Sequence, residues 1–268
     1  MTSPVRIAIV GAAGRMGLSL LENANGLDDV EAVAAIVDPR SGDVGRKLGP
    51  RGLVAEPSLM ERIEGVDVVI DFSAPASCLE SAQIAARAGK AFLSGTTGLS
   101  PDQQSVLNAH GSHIPVLHAA NFSVGVNVLN KMVEIASQAT GPDFDIEIFE
   151  AHHRNKVDAP SGTALFLGEA AARGRDRALG DVARWERHGQ TGERSASEIG
   201  FQVLRGGDVV GEHTVFFCAP GERIELTHRA TDRGIFARGA LRAARWLAPR
   251  KPGIYTMEDV LFSPTSPS

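Results

Sequence analysis

The apolar and polar positions of the chain fall into two regimes. Before residue 123, short unbroken apolar runs alternate with longer stretches whose apolar residues recur at helical spacing. The runs at 5–10, 30–37, 66–72, 91–94 and 114–118 have strand length and are apolar nearly throughout, as strands covered on both faces are. Stretches beginning at Leu18 and spanning 76–88 and 101–110 predict helices between them. Residues 39–57 are rich in Gly, Pro and charge and predict a loop with a short strand at most. Strand and helix in strict alternation predict an α/β fold with a doubly wound parallel sheet.

A helix predicted from Ser123 to residue 139 ends before Gly141-Pro142, and the regime then changes. Strand-like runs follow at 144–150, 199–205, 209–218 and 224–230, with few helices among them. Pro160 blocks any earlier helix start, and Ser161 is placed to N-cap a helix over 163–173. The polar, Arg- and Gly-rich stretch 174–197 predicts an irregular connection. Together these predict a second α+β domain built on an open mixed sheet, the kind of surface that oligomers cover. Amphipathic residues 236–247 and a turn or two of helix at 257–261 are expected to return to the first domain. The expected division is therefore 1–122 with 235–268 for the first domain, and 123–234 for the second. The Ser-Pro tail is expected to be disordered.

Composition narrows the classes. The 268 residues are 43% hydrophobic and include 29 glycines, which suits an α/β protein with many tight turns. A net charge of −5, with no Lys/Arg block along a helix, argues against nucleic acid as a partner. No apolar run reaches the ~18 residues that span a membrane. The start of the chain lacks a signal-peptide layout, so a cytoplasmic location is expected. Cys78 and Cys218 lack metal-ligand spacing and read as free thiols, and no metal is expected.

Two stretches carry chemistry. Gly11-Ala12-Ala13-Gly14-Arg15-Met16-Gly17 follows the first strand and opens a helix. Glycines there let the backbone approach a pyrophosphate at a helix N-terminus, the Rossmann-like arrangement. Asp38 ends the second strand, where an acid can bond a ribose 2′-OH; the alternative is a turn residue before Pro39. Gly95, Thr96 and Thr97, and Ala119, Ala120, Asn121 and Phe122, lie at strand carboxyl ends and are placed to line the nicotinamide half. Alternatively both are small-residue turns. NADH is the expected cofactor, with NADPH also used.

The second stretch gathers His152, His153, Arg154 and Lys156 between a strand and the helix start at Ser161, Gly162 and Thr163. A helix N-terminus suits a carboxylate, and imidazole and ammonium groups supply protons. The alternative is a solvated basic loop before an ordinary capped helix. Two adjacent histidines point to opposite sides if extended, so they need not share one job.

These motifs resemble those of the 4-hydroxy-tetrahydrodipicolinate reductase family across nearly the whole chain. The resemblance rests on residues 11–17, Gly95-Thr-Thr-Gly98, residues 120–126, the His-His-Arg-Asn-Lys-Val-Asp-Ala-Pro-Ser-Gly-Thr run at 152–163, and residues 205–214. The 152–163 run is highly specific and the glycine turn is not. The resemblance implies NAD(P)H-dependent reduction of 4-hydroxy-2,3,4,5-tetrahydrodipicolinate, a small dicarboxylate, with loss of water, by a cytoplasmic homotetramer. It further implies His152 as proton donor/acceptor, Lys156 as proton donor, and His153, Ser161, Gly162 and Thr163 as substrate contacts. Gly11, Ala12, Ala13, Gly14, Arg15, Met16, Asp38, Gly95–Thr97 and Ala119–Phe122 are implied to hold the cofactor. Pro39 stands where many relatives carry a basic residue, which weighs against strong NADPH use. The runners-up are another two-domain NAD(P) dehydrogenase acting on a semialdehyde or imine, and an NADH-binding sensor.

Overall fold

The computed structural model describes residues 3–263, so the Ser-Pro tail lies outside the described residues. The chain divides into two compact units, residues 1–124 with 234–268, and residues 125–233. In chain order the first unit contains β1 (Val5–Val10), α1 (Arg15–Ala24), β2 (Val30–Ile36), β3 (Lys47–Leu48), β4 (Leu53–Glu56), β5 (Val68–Asp71), α2 (Pro75–Arg87), β6 (Ala91–Ser94), α3 (Pro101–Ala109) and β7 (Pro115–His118). The second contains α4 (Val124–Thr140), β8 (Asp145–His152), α5 (Gly162–Arg173), α6 (Leu179–Val182), β9 (Ala183–Arg184), β10 (Ile199–Arg205), β11 (Gly211–Ala219) and β12 (Glu222–Ala230). The chain then returns to the first unit as α7 (Gly234–Leu247), β13 (Gly253–Tyr255) and α8 (Met257–Phe262).

The sheet of the first unit has the order β13-β7-β6-β5-β1-β2-β4-β3. Every pair is parallel except β3 with β4. β1 lies between β2 and β5, so the strand order reverses there, which is where open α/β sheets bind ligands. Side chains alternate across β1. Ile7 and Ile9 join a core with Leu20 and Leu21 of α1 and Ala240 and Leu241 of α7. Ala8 and Val10 join the opposite core with Ala82 of α2 and Leu107 of α3. The predicted doubly wound sheet is therefore present.

Two pieces were not predicted. Residues 47–56 form a small antiparallel pair rather than mostly loop, and Ala55 pairs with Ala35 of β2. Leu48 and Ala55 are its buried residues, too few to give a period. β13 is three residues long and adds to β7 at the sheet edge.

The second unit is a mixed five-stranded sheet of order β12-β11-β8-β10-β9. β10 runs parallel to β8 and β9, while β11 is antiparallel to β8 and β12. Helices α4 and α5 are tied together by Asn130 Nδ2 donating to the Phe166 carbonyl at 2.8 Å and Ser137 Oγ to the Ala171 carbonyl at 2.6 Å. Ile146 and Ile148 of β8 point into the core with Leu167, Ala170 and Phe201. Period-two alternation carries Glu150 and His152 onto that same face. The segment predicted as irregular holds α6 and β9, and Arg187 and Arg194 fasten it to Glu147 and Glu198. Ion pairs rather than apolar periodicity order it, so the pattern of apolar residues did not show it.

Candidate active site

The sequence candidates form two groups, one in each unit. In the first unit, Gly11 ends β1 with φ +77°, and a Cβ there would stand 2.4 Å from the Phe72 carbonyl oxygen. Only glycine fits both the backbone region and the space. Gly14 caps α1 with no side-chain hydrogen bond, leaving the first-turn N–H groups to an anion. A Cβ on Gly17 would stand 2.4 Å from the Gly11 carbonyl oxygen and 2.5 Å from the Ala12 Cα, so α1 presses directly on the turn. Gly17→Ala is expected to push α1 off the turn, destabilising the unit by about 1–3 kcal/mol and weakening NADH binding by roughly tenfold. Thermal unfolding and NADH titration check both, and wild-type values in the two would show that the turn tolerates the methyl.

Asp38 follows β2 and is exposed. Its carboxylate accepts from Arg40 Nε at 3.1 Å, Arg40 Nη2 at 3.0 Å and the Arg40 backbone N–H at 2.8 Å. Those bonds hold the Asp38 carboxyl at about 2. Beyond β5 to β7 lies a polar cluster. The Thr96 hydroxyl donates to the buried Asp71 carboxylate at 2.5 Å and accepts from the Ser73 N–H at 2.9 Å. His118 Nε2 bonds the Thr96 carbonyl at 2.9 Å. Burial pushes the Asp71 carboxyl up. Among the cofactor candidates, Ala12, Thr96 and Phe122 are buried, whereas Gly14, Arg15, Asp38, Thr97 and Ala120 are exposed.

In the second unit, β8 ends at His152, and a tight loop leads to α5. The loop is pinned by Lys156 N–H to the His153 carbonyl at 3.1 Å and Arg154 N–H to the Gly207 carbonyl at 3.2 Å. Ser161 N-caps α5, its Oγ accepting from the Ala164 N–H at 3.2 Å and sharing a 3.0 Å bond with His213 Nε2. His152 Nδ1 lies 2.6 Å from Glu150 Oε2, and Arg205 closes two bonds of 2.7 and 2.8 Å on the same carboxylate. Burial raises the Glu150 carboxyl, but hydrogen bonds from His152, Arg205 and the Ser161 N–H outweigh it and hold the group at about 2. His153 leaves the strand and meets Arg233 Nη2 at 3.0 Å. Burial first, then the charges of Arg233, His152, Lys156 and Arg205, push its imidazole down. Lys156 Nζ sits 2.9 Å from Asp158 Oδ1.

The structure thus joins His152 to the Ser161 helix start and sends the two histidines to different partners. Comparison with known proteins then settles the kinship. Residues 5–122 match the model of the dihydrodipicolinate reductase N-terminus, and residues 125–261 match that of its C-terminus. The chain belongs to the dihydrodipicolinate reductase family. The 4-hydroxy-tetrahydrodipicolinate reductase of Saccharophagus degradans is 47% identical over 262 residues, covering 96% of this chain and 98% of that relative. The enzyme of that name from Acinetobacter baumannii strain AYE is 48% identical over 267 residues, 97% of each chain. Among solved structures, the dipicolinate-bound dihydrodipicolinate reductase from Paenisporosarcina sp. TG-14 shares the fold. It superposes with a TM-score of 0.75 at 21% identity, covering 94% of this chain and 97% of that one. GenD2 from gentamicin A biosynthesis, solved in complex with NAD, superposes with a TM-score of 0.59 at 16% identity, covering 97% of this chain and 91% of that one.

Sequence reasoning assigned no role to Glu150, Arg205 or His213 in this member of the dihydrodipicolinate reductase family. A signal existed for Glu150. Alternation along β8 puts Ile146, Ile148, Glu150 and His152 on one face, so a carboxylate occupies a core position. A charge is buried there only with partners. Arg205 and His213 lie in the 205–214 stretch that resembles the family, but that resemblance gave them no role, and they reach Glu150 only because β10 and β11 flank β8.

Proposed function

We propose that this chain reduces 4-hydroxy-2,3,4,5-tetrahydrodipicolinate to 2,3,4,5-tetrahydrodipicolinate, consuming NAD(P)H and a proton and releasing water, in diaminopimelate and lysine biosynthesis. The observation that carries this reading is that Glu150 joins His152 to the helix start at Ser161, in a chain of the reductase family. Loss of the 4-hydroxyl as water, with a proton from the neighbouring ring carbon, leaves a conjugated cyclic imine. Bound NAD(P)H supplies a hydride to the far carbon of that system. The resulting enamine needs a proton on carbon, and His152 and Lys156 are the groups to give it. Gly162 and Thr163 N–H groups, with His153, hold the carboxylates. Gly11–Met16 cradle the pyrophosphate, Asp38 the adenosine ribose, and Gly95–Thr97 and Ala119–Phe122 the nicotinamide side. Assaying the purified chain with freshly generated substrate tests this directly. NADH and NADPH both remaining unoxidised would sink it.

Asp38 and Arg40 set cofactor choice in this reading. Asp38→Ala is expected to weaken NADH by about tenfold and NADPH by less, because only NADH has a free 2′-OH for the acid. The ratio of the two Kd values is the measurement, and equal losses would make Asp38 a turn residue. The chain acts as a cytoplasmic homotetramer in this proposal. Among the described residues no helix is long and apolar enough to cross a membrane. The sheet face turned away from α4 and α5 carries Phe149, Leu204 and Phe216, with Leu204 exposed, a surface suited to a second copy. Light scattering on the purified protein decides the state.

A further inference from the structure

The buried carboxylate behind His152 carries an inference that rests on the proposed role of that histidine. Glu150 is 1% exposed, yet all its lone-pair directions are taken. Oε2 accepts from His152 Nδ1 at 2.6 Å and Arg205 Nη1 at 2.8 Å, and Oε1 from the Ser161 N–H at 3.0 Å and Arg205 Nη2 at 2.7 Å. Arg205 is itself anchored by donating to the Leu204 and Asp158 carbonyls at 2.8 and 2.7 Å. On the other side of the ring, His152 Nε2 makes no hydrogen bond among the described residues. It lies against Gly211, whose absent Cβ would stand 3.1 Å away.

We propose that Glu150 is a positioning residue for the reduction: it keeps one ring proton of His152 on Nδ1, so that Nε2 is the atom that takes up a second proton and hands it to the substrate, and it fixes the distance from that imidazole to the Ser161–Thr163 anion site. An ionised carboxylate only accepts, so Nδ1 must donate. Arg205 keeps the carboxylate ionised inside the protein, as a buried charge requires. One side chain therefore couples proton delivery to substrate grip. Gly211 leaves the space that Nε2 needs.

Glu150→Gln is close to isosteric and separates this role from a structural one. Its carbonyl stays on the Ser161 N–H, so its NH2 faces Nδ1, drives the single ring proton to Nε2 and opposes the doubly protonated ring that proton delivery needs. A carboxylate-to-amide change behind the histidine of a Ser-His-Asp triad lowers kcat by about 10⁴ through the wrong tautomer. Here Lys156 shares the proton work, and a fall of about 10² in kcat is expected, with KM for NADH within about twofold. The tautomer is read from ¹⁵N-histidine spectra with the ring neutral, the His152 signals being those missing from His152→Gln. Wild-type protein should show Nδ1–H and the Glu150→Gln variant Nε2–H. An Nε2–H tautomer in the wild type overturns the proposal even if the variant fails to fold. Full turnover by His152→Gln would remove that histidine from the reaction, and the proposal with it. A slow His152→Gln beside a fast Glu150→Gln overturns the claim for Glu150 alone.

Discussion

Lys156→Ala should lower kcat by about 10²–10⁴, the usual worth of a positioned acid, while NADH affinity and stability stay near wild type. The backbone of Lys156 is held in the β8–α5 loop by its bond to the His153 carbonyl, so the alanine variant keeps the loop path. Its side chain is only 21% exposed, but its partner Asp158 is 54% exposed. Such a pair contributes roughly 0–1 kcal/mol, so the ammonium can leave Asp158 for a substrate at little cost and can be deleted at little cost. The cofactor candidates all lie in the other unit. Lys156→Arg divides the role further. A guanidinium keeps the positive charge but does not give up a proton at neutral pH. It should keep substrate KM near wild type and leave kcat low. If Lys156→Ala turns over within about twofold of wild type, proton delivery belongs to His152 or to water.

The fold was legible where one local rule decided each element. Ile7 and Ile9 against Ala8 and Val10 show why β1 had to be buried on both faces, and the same holds for β5 to β7. Ser161 capping α5 follows from a hydroxyl beside a proline and an Ala/Leu run. The small antiparallel pair at 47–56 and the edge strand at 253–255 owe their order to pairing with distant strands, which no window of sequence contains. The site divides in the same way. The glycine turn and the His152–Thr163 run are contiguous and could be found. The network of Glu150, Arg205 and His213 is assembled by strand register, which sets Arg205 beside His152 and His213 beside Glu150. Register is a long-range property. What could have been noticed is the carboxylate in phase with Ile146 and Ile148.

Acid should loosen the second unit before Glu150 takes up a proton, and His213 is the cause. Its ring is buried and carries no partner on Nδ1. Burial, then the charge of His152, pushes it down from 6.5 to about 3, with Glu150 opposing and His228 and Lys156 adding to the shift. The sign follows from proton counting. Between pH 6.5 and about 3 the unfolded chain binds a proton at His213 that the folded chain refuses. The contribution is therefore complete above pH 6.5 and drains as pH falls, by about 1.4 kcal/mol per pH unit. Glu150, lowered from 4.5 to about 2, acts in the same direction but only below pH 4.5. From pH 6.5 to 4.5 His213 therefore acts ahead of Glu150, and roughly 3 kcal/mol should be lost across that window. His228, opposite His213 on β12 and also pushed down by burial, supplies a smaller share. Of the two tryptophans, Trp185 stacks on Phe201 in the second unit and Trp246 lies in the first. In a Trp246→Phe background, urea unfolding followed by fluorescence then reports the second unit alone. His213→Asn should flatten the pH dependence in that window, whatever it does to stability at neutral pH. An unchanged slope would mean that His213 accepts its proton in the folded protein, which its position against His152 and its unpartnered nitrogen argue against.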